Sequence, residues 1–508
     1  MPYISFLYKW FQYEAHRSTI EFNTTKRRYK KMGSNSLNST PQKRHVVLFP
    51  FMSKGHTIPL LHLARLLLSR RFAVTVLTTP ANRPFIVNSL SDTTASIIDL
   101  PFPDNIPKVP AGVESTDKFP SMSVFFSFVT ATKRMQPDFE RALESLPPVS
   151  FIVSDGFLWW TLESASKFSI PRLVFYGMSN YASAVSKVVY ENRLIHGPES
   201  NNELLTVPDF PWIKITKNDF ESMSSDPEVK DVAFEFHMNM IISTLNSFGL
   251  VVNSFYELEP VFVDYWNKKC SPKAYCVGPL CLAEPILSSN IRPTDQPAWI
   301  QWLDKKLEQG SSVLYVAFGS QAEISRQQLE EIALGLEESK VNFLWVVRKK
   351  ERELIDSSDG FLERVKDRGM VVTEWVNQRE ILYHKSVHGF LSHCGWNSVM
   401  ESICAGVPIL AWPMMAEQPM NARMVVEEIK VGLRVETCDG SPKGLVKWES
   451  LKKMVMELME GQKGKEVRKK VKEVAEMAKK AVEESGSSKH TLDSLIDEIC
   501  QRGDVRKA

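Results

Sequence analysis

HVVLFPFMSKGHTIPLLHLARLLLSRRFAVTVLTT, residues 45–79, is the stretch that decides the fold. It opens on a short, mostly apolar strand, 45–51, and breaks at the turn Met52-Ser53-Lys54-Gly55. Residues 56–71 carry Leu60, Leu63, Ala64 and Leu67 on one face of a helix, and 73–79 is a second strand. A strand, a helix and a strand in this order form a β-α-β unit, the building block of a parallel sheet with helices on both faces.

The alternation continues outward. Further strands are expected at 96–100, 149–155, 172–176 and 249–254, and 275–280 closes this half. Residues 281–297 are polar and proline-punctuated, as an interdomain linker is. A second series follows at 313–318, 343–347, 370–373, 389–392, 408–412 and 432–436, with a helix at 325–339. The expected fold class is therefore α/β: two tandem Rossmann-like, doubly wound domains, 44–280 and 298–485, facing a central cleft. An amphipathic, solvated helix is expected over 466–485, a break at 486–490, and a last short helix at 492–500 within a C-terminal segment 486–508. In such open sheets, ligands bind beyond the carboxyl ends of the strands.

Composition narrows the function. The 508 residues carry 62 Lys and Arg against 60 Asp and Glu, which argues against nucleic acid as a partner. Residues 1–44 hold nine of the basic residues and only two acidic ones, so the basic excess belongs to the N-terminal segment. Residues 1–43 are polar and aperiodic, a disordered basic extension by composition, and Met32 is a candidate alternative start. Seven scattered cysteines without a C-x-x-C pair suit a reducing, cytoplasmic setting and give no structural zinc site. No apolar run is long enough for a transmembrane segment, and the first residues lack the features of a signal peptide.

The most informative chemistry lies in WVNQREILYHKSVHGFLSHCGWNSVMESICAGVPILAWPMMAEQ, from Trp375 to Gln418. A strand, GFLS, runs through the turn His393-Cys394-Gly395 into a helix that carries Asn397, Ser398 and Glu401. Such a junction aims free backbone N–H groups and a positive helix end at an anion. Gly395 permits close backbone approach, His393 can donate to an anionic oxygen, and Glu401 can accept from two vicinal hydroxyls. Glu417 and Gln418 follow the next strand and suit a polyhydroxylated group. The residues alone say phosphate and hydroxyls.

This segment resembles the 44-residue plant secondary-product signature of the family 1 UDP-glycosyltransferases, and the likeness extends over nearly all of 44–500. It implies a GT-B fold, an N-terminal acceptor-binding domain and a C-terminal UDP-sugar-binding domain. It also implies UDP-glucose as co-substrate with no metal or other cofactor, and a small hydroxylated acceptor such as a flavonoid or other phenolic. The resemblance places Trp375 under the uracil ring, and Val376 and Gln378 at uracil and ribose. His393, Asn397, Ser398 and Ser320 fall at the diphosphate, Glu401 at the ribose, and Trp396, Glu417 and Gln418 around the sugar. Asn377 and Glu417 depart from the commoner residues of the pattern, while Gln418 follows its glucose-using form. A monomer is expected.

Sugar transfer needs a base for the acceptor hydroxyl. His56 follows the first strand and a glycine turn, and a neutral imidazole can take that proton. Asp155 ends the strand 149–155 and can orient it. Read singly, His56 is equally a surface or helix-capping histidine and Asp155 a turn former; the resemblance joins them as a catalytic dyad. Phe51, Phe157, Trp159, Trp160 and residues 120–129 are candidate acceptor-pocket residues. A nicotinamide dehydrogenase is disfavoured, because the first turn has one glycine and no G-x-G-x-x-G. A hydrolase is disfavoured by the lack of G-x-S-x-G. The remaining alternative is a non-catalytic sugar-nucleotide-binding protein.

Overall fold

The structure, a computed structural model, describes residues 44–220, 227–284, 296–356, 360–442 and 444–507. The extension 1–43 and residues 285–295 of the expected linker lie outside the described residues.

The first sheet has seven strands: β1 (His45–Phe49), β2 (Ala73–Thr78), β3 (Ser96–Asp99), β4 (Val149–Asp155), β5 (Arg172–Tyr176), β8 (Gly249–Val252) and β9 (Ala274–Cys276); between β5 and β8 the chain forms a separate hairpin of β6 (Leu205–Val207) and β7 (Phe210–Ile215). All seven are parallel, in the order β3-β2-β1-β4-β5-β8-β9. The second sheet is β10 (Val313–Ala317), β11 (Asn342–Val346), β12 (Gly369–Val372), β13 (Val387–Ser392), β14 (Ile409–Ala411) and β15 (Gly432–Arg434), also parallel, ordered β12-β11-β10-β13-β14-β15. Their near-continuous apolar runs are what strands covered on both faces require. These are two doubly wound α/β domains, the GT-B arrangement.

Strand order decides where ligands go. In each sheet the chain winds outward in one direction, then returns to the first strand and winds in the other. The crevice at that reversal is the ligand-binding position of such folds. It falls between β1 and β4 in the first sheet and between β10 and β13 in the second.

Three features differ from the sequence reading. The antiparallel hairpin β6–β7 was not anticipated; its inner residues Val207, Phe210, Ile213 and Ile215 pack with the helix Asn180–Glu191. The amphipathic helix spans Gln462–Val482, and its apolar face is buried against the helix Trp396–Ala405. The last helix spans Ser487–Lys507 rather than 492–500, so 487–490 are helical and do not break the chain. Tertiary anchoring accounts for the earlier start: Ser488 Oγ donates to the Gly278 carbonyl, and Ser487 Oγ donates to Glu257 at 2.8 Å. This helix returns to the first sheet, where Leu492, Leu495, Ile496 and Ile499 complete a core with Val46, Leu48 and other residues. Among the described residues no helix is long and apolar enough to cross a membrane.

Burial of that helix face gives a direct test. Ile499→Ala removes a fully buried side chain from the core of the opposite half and is expected to cost about 2–5 kcal/mol. In scanning calorimetry the corresponding midpoint should fall by at least about 4 °C, while the same change at exposed Asp497 leaves it in place.

Candidate active site

His56 and Asp155 emerge from the switch point of the first sheet. β1 and β4 are neighbours, with Phe49 beside Ser154, so the turn after β1 and the end of β4 share one edge. His56 Nδ1 lies 2.7 Å from Asp155 Oδ2. The other carboxylate oxygen accepts the Phe157 N–H at 2.9 Å, which fixes the carboxylate plane. Asp155 is fully buried, while His56 keeps 21% of its side chain exposed. Beneath the pair, buried Arg172 donates to Ser154 Oγ, Ser247 Oγ and the Asp155 carbonyl. Burial alone would lower the His56 pKa. The charge of Asp155, its hydrogen bond and the more distant Glu417 outweigh burial and hold His56 above its ordinary value.

The second sheet supplies an anion site at its own switch point. Ala317 pairs with Ser392, so the turns Gly319-Ser320 and His393-Cys394 leave the sheet side by side. His393 Nε2 opens between two glycines. A Cβ on Gly319 would lie 2.8 Å from it, and one on Gly395 would lie 2.6 Å from it. Gly319 also has φ +75°, a conformation that favours glycine. Burial pushes the His393 pKa down to about 4, opposed by the Ala317 carbonyl, so the ring is neutral and can donate one N–H. Cys394 takes a left-handed φ of 63°. Asn421 Nδ2 holds that turn through the Cys394 carbonyl at 3.0 Å. The helix Trp396–Ala405 then begins with its first N–H groups directed at the same point.

The two halves touch here. The helix Lys54–Ser69 contains Pro59, which has no N–H for the Gly55 carbonyl four residues earlier. That carbonyl accepts from Asn397 Nδ2 across the cleft instead. Asn253 Nδ2 donates to Asn397 Oδ1 at 3.2 Å, and Gln321 Nε2 reaches Ser53 Oγ at 2.9 Å and Thr116 Oγ1 at 2.6 Å. Two helix N-termini, one from each half, therefore converge on a single region.

The remaining donor residues lie around it. Gln378 Nε2 donates to Glu401 Oε2 at 2.7 Å and to Ser398 Oγ at 2.9 Å. Burial raises the Glu401 pKa to about 7, with Gln378 and Arg379 opposing. Trp375 stands 63% exposed with its ring edge-on to Phe85 of the first half at 5.8 Å. The Val376 side chain is buried in a core cluster with Val372 and Ile381, so only its backbone can meet a ligand. Ser320 is exposed. Gln418 Oε1 accepts from Met414 and Met415 N–H, both at 3.0 Å, so its amide N–H groups are what it can present. Glu417 Oε1 accepts from Asn421 Nδ2 at 3.3 Å. Trp396 is buried, and its indole N–H donates to the Asn253 carbonyl at 2.8 Å; its backbone N–H remains for a ligand, its ring does not.

An aromatic wall surrounds His56. Phe51 and Phe157 lie 5.5 and 4.8 Å from the imidazole, and Phe125 and Phe236 pack on Phe157 at 5.8 and 5.6 Å. The two tryptophans expected with them stand elsewhere. Trp160 is in the core against Phe49 and Phe139, and Trp159 lies under Lys133. Consecutive positions after a strand diverge in direction, so these rings cannot all follow Phe157. Phe236, Asn253, Gln321 and Asn421 were missed by sequence reasoning. Asn421 alone carried a local signal, one helical turn beyond Glu417.

Known proteins resemble the chain along nearly its whole length. The family described as UDP-glucoronosyl and UDP-glucosyl transferase matches residues 298–459. UDP-glycosyltransferase 90A1 of Arabidopsis thaliana is 58% identical over 474 residues, covering 91% of this chain and 98% of that protein. The crystal structure of Glycyrrhiza uralensis UGT73P12 with glycyrrhetinic acid 3-O-monoglucuronide superposes with a TM-score of 0.80 at 30% identity, covering 92% of this chain and 97% of the other. Phytolacca americana UGT2, complexed with UDP-2fluoro-glucose and pterostilbene, gives 0.71 at 29% identity, covering 90% and 99%. With paired strand-end sites facing one cleft and likeness along nearly its whole length, the chain belongs to the plant family 1 UDP-glycosyltransferases.

Proposed function

We propose that the chain transfers glucose from UDP-glucose to a hydroxyl of a small aromatic plant metabolite, a flavonoid or other phenolic, with inversion at the anomeric carbon. The 2.7 Å bond between His56 and Asp155, beside the aromatic wall, carries this reading. With Nδ1–H committed to Asp155, Nε2 is left to take the acceptor proton. The buried carboxylate then stabilises the imidazolium as it forms. The acceptor oxygen attacks the anomeric carbon from the side opposite UDP, so an α-linked donor gives a β-glycoside.

Charge developing on UDP is met by hydrogen-bond donors set in place before the reaction: neutral His393, the Ser320 and Ser398 hydroxyls, and the N–H groups of the helix at Trp396 and Asn397. No metal enters this scheme. Glu401 accepts from the ribose hydroxyls, and Gln378 keeps its carboxylate oriented. Gln418 and Glu417 supply an amide donor and a carboxylate acceptor for sugar hydroxyls. The relative complexed with UDP-2fluoro-glucose and pterostilbene supports both the glucose donor and the aromatic acceptor. The free cysteines support a cytoplasmic setting, and we propose a monomer.

The activity test is UDP release from UDP-glucose and UDP-rhamnose with and without a phenolic panel, products read by mass. Acceptor-dependent release from UDP-glucose is expected; UDP binding without turnover on any acceptor would return the chain to the non-catalytic alternative. His56→Ala should lower turnover by about 10²-fold or more while UDP affinity stays close to wild type. The acid limb of the wild-type kcat/KM profile should lie above the free-histidine range, because His56 must be neutral and its pKa is raised. Asp155→Asn removes the charge that raises it. That variant should move the limb to lower pH and cut kcat by about 10²–10⁴-fold.

Glu401 yields a separate pH signature. Its carboxylate form accepts from the ribose, and its pKa in the free protein is about 7. UDP affinity, measured by calorimetry, should weaken as pH falls from 8 to 6. Glu401→Gln should bind more weakly throughout and lose most of that dependence.

A further inference from the structure

We propose that Lys54 is a donor-binding residue: its ammonium, supplied by the first half of the chain, contacts the diphosphate of the bound nucleotide. This rests on the UDP-sugar reading of the cleft and adds to it a cation from the acceptor side. The argument begins with the residues flanking Lys54 in sequence. Ser53 accepts from Gln321, in the turn that carries Ser320, and Gly55 accepts from Asn397 at the start of the helix behind His393. The Lys54 backbone is thus bracketed by contacts to both turns of the anion site. Its side chain runs the other way, placing Nζ 3.4 Å from the centre of the Phe85 ring, which meets the exposed Trp375 edge-on. Lys54 therefore spans the groove from its phosphate end to its base end, where a nucleotide stacked on Trp375 has to lie.

The ammonium rests on a ring face rather than against a carboxylate. Among the described residues it forms no ion pair, and Asp117, whose charge favours its charged form, pairs with Lys118 at 3.7 Å. Burial disfavours its charged form, with Asp117 opposing. A half-buried cation resting on a ring face gains more from a phosphate than an exposed lysine does, because part of its desolvation is already complete. Among the described residues, the side-chain donors brought together at the anion site above are neutral, including His393, whose pKa burial lowers to about 4. Lys54 brings to that site full positive charge on a flexible stem, able to swing from Phe85 to the diphosphate.

The experiment compares UDP with uridine, which keeps the base and ribose and lacks the phosphates. Calorimetry on the full chain is run for wild type, Lys54→Gln and Lys54→Arg. Lys54→Gln should weaken UDP by about tenfold or more and leave uridine affinity unchanged. Lys54→Arg should recover most of the UDP affinity. Raising salt should weaken UDP less in the glutamine variant than in wild type. Unchanged UDP affinity in Lys54→Gln overturns the proposal. So does an equal loss for uridine, which would show that Lys54 acts through packing on Phe85. A wild-type chain that binds no UDP removes the donor reading itself, and this inference with it.

Discussion

Pro59 leaves one hydrogen bond unmade, and the join between the two halves uses it. Without an N–H at that position the Gly55 carbonyl loses its usual helical donor four residues on, and Asn397 donates to it from the other half. The contact draws together two helix N-termini, each carrying a partial positive charge of roughly half a unit. Like ends facing one another are unfavourable unless something negative lies between them. The approach is therefore sustained by side-chain bonds around it, from Asn253 and Gln321, and matched to an anion at its centre. The same contact sets His56, one residue after Gly55, within the electrostatic influence of Glu417 from the second half. One missing donor thus links the proton-accepting side of the cleft to the donor side.

Burial acts in opposite senses on the ionisable groups here. His56 is held above its ordinary pKa because a carboxylate accompanies it into the interior. His393 falls to about 4 because none does, and Glu401 rises to about 7. The first environment favours a base and the second a neutral hydrogen-bond donor. The third places a carboxylate at the edge of ionisation, where arriving hydroxyl donors favour its charged form. Two histidines of the same type, each after a strand in a doubly wound sheet, are separated in role by one neighbour.

Much of this was legible in the chain. The parallel strands announced themselves as short apolar runs, and the residues that follow β1, β4, β10, β13 and β14 could be assigned to a strand-end cleft because such sheets bind ligands there. What escaped was set by distant partners. FPWIKI has a proline and a lysine in it and becomes strand β7 only because Leu205–Val207 pairs with it and the helix Asn180–Glu191 covers it. Trp396 stands in the middle of the donor signature, yet its indole is fixed by the Asn253 carbonyl, 143 positions away. Phe236 joins the wall around His56 from a helix whose sequence carries no mark of that proximity. Local pattern fixes an element and its direction; which side chains meet is decided by packing.

The last helix has a consequence for biosynthesis. The core under β1 and β4 is made of residues translated early, yet it is closed by Leu492, Leu495, Ile496 and Ile499. A ribosome making this chain delivers β1 hundreds of residues before it delivers the helix that covers it. The first half thus waits with an open apolar face while the whole second half is synthesised, and its folding ends only when the C-terminal segment leaves the exit tunnel. A nascent chain stalled before that point carries exposed apolar surface of the kind chaperones bind. Order of synthesis and order of completion run in opposite directions in this fold.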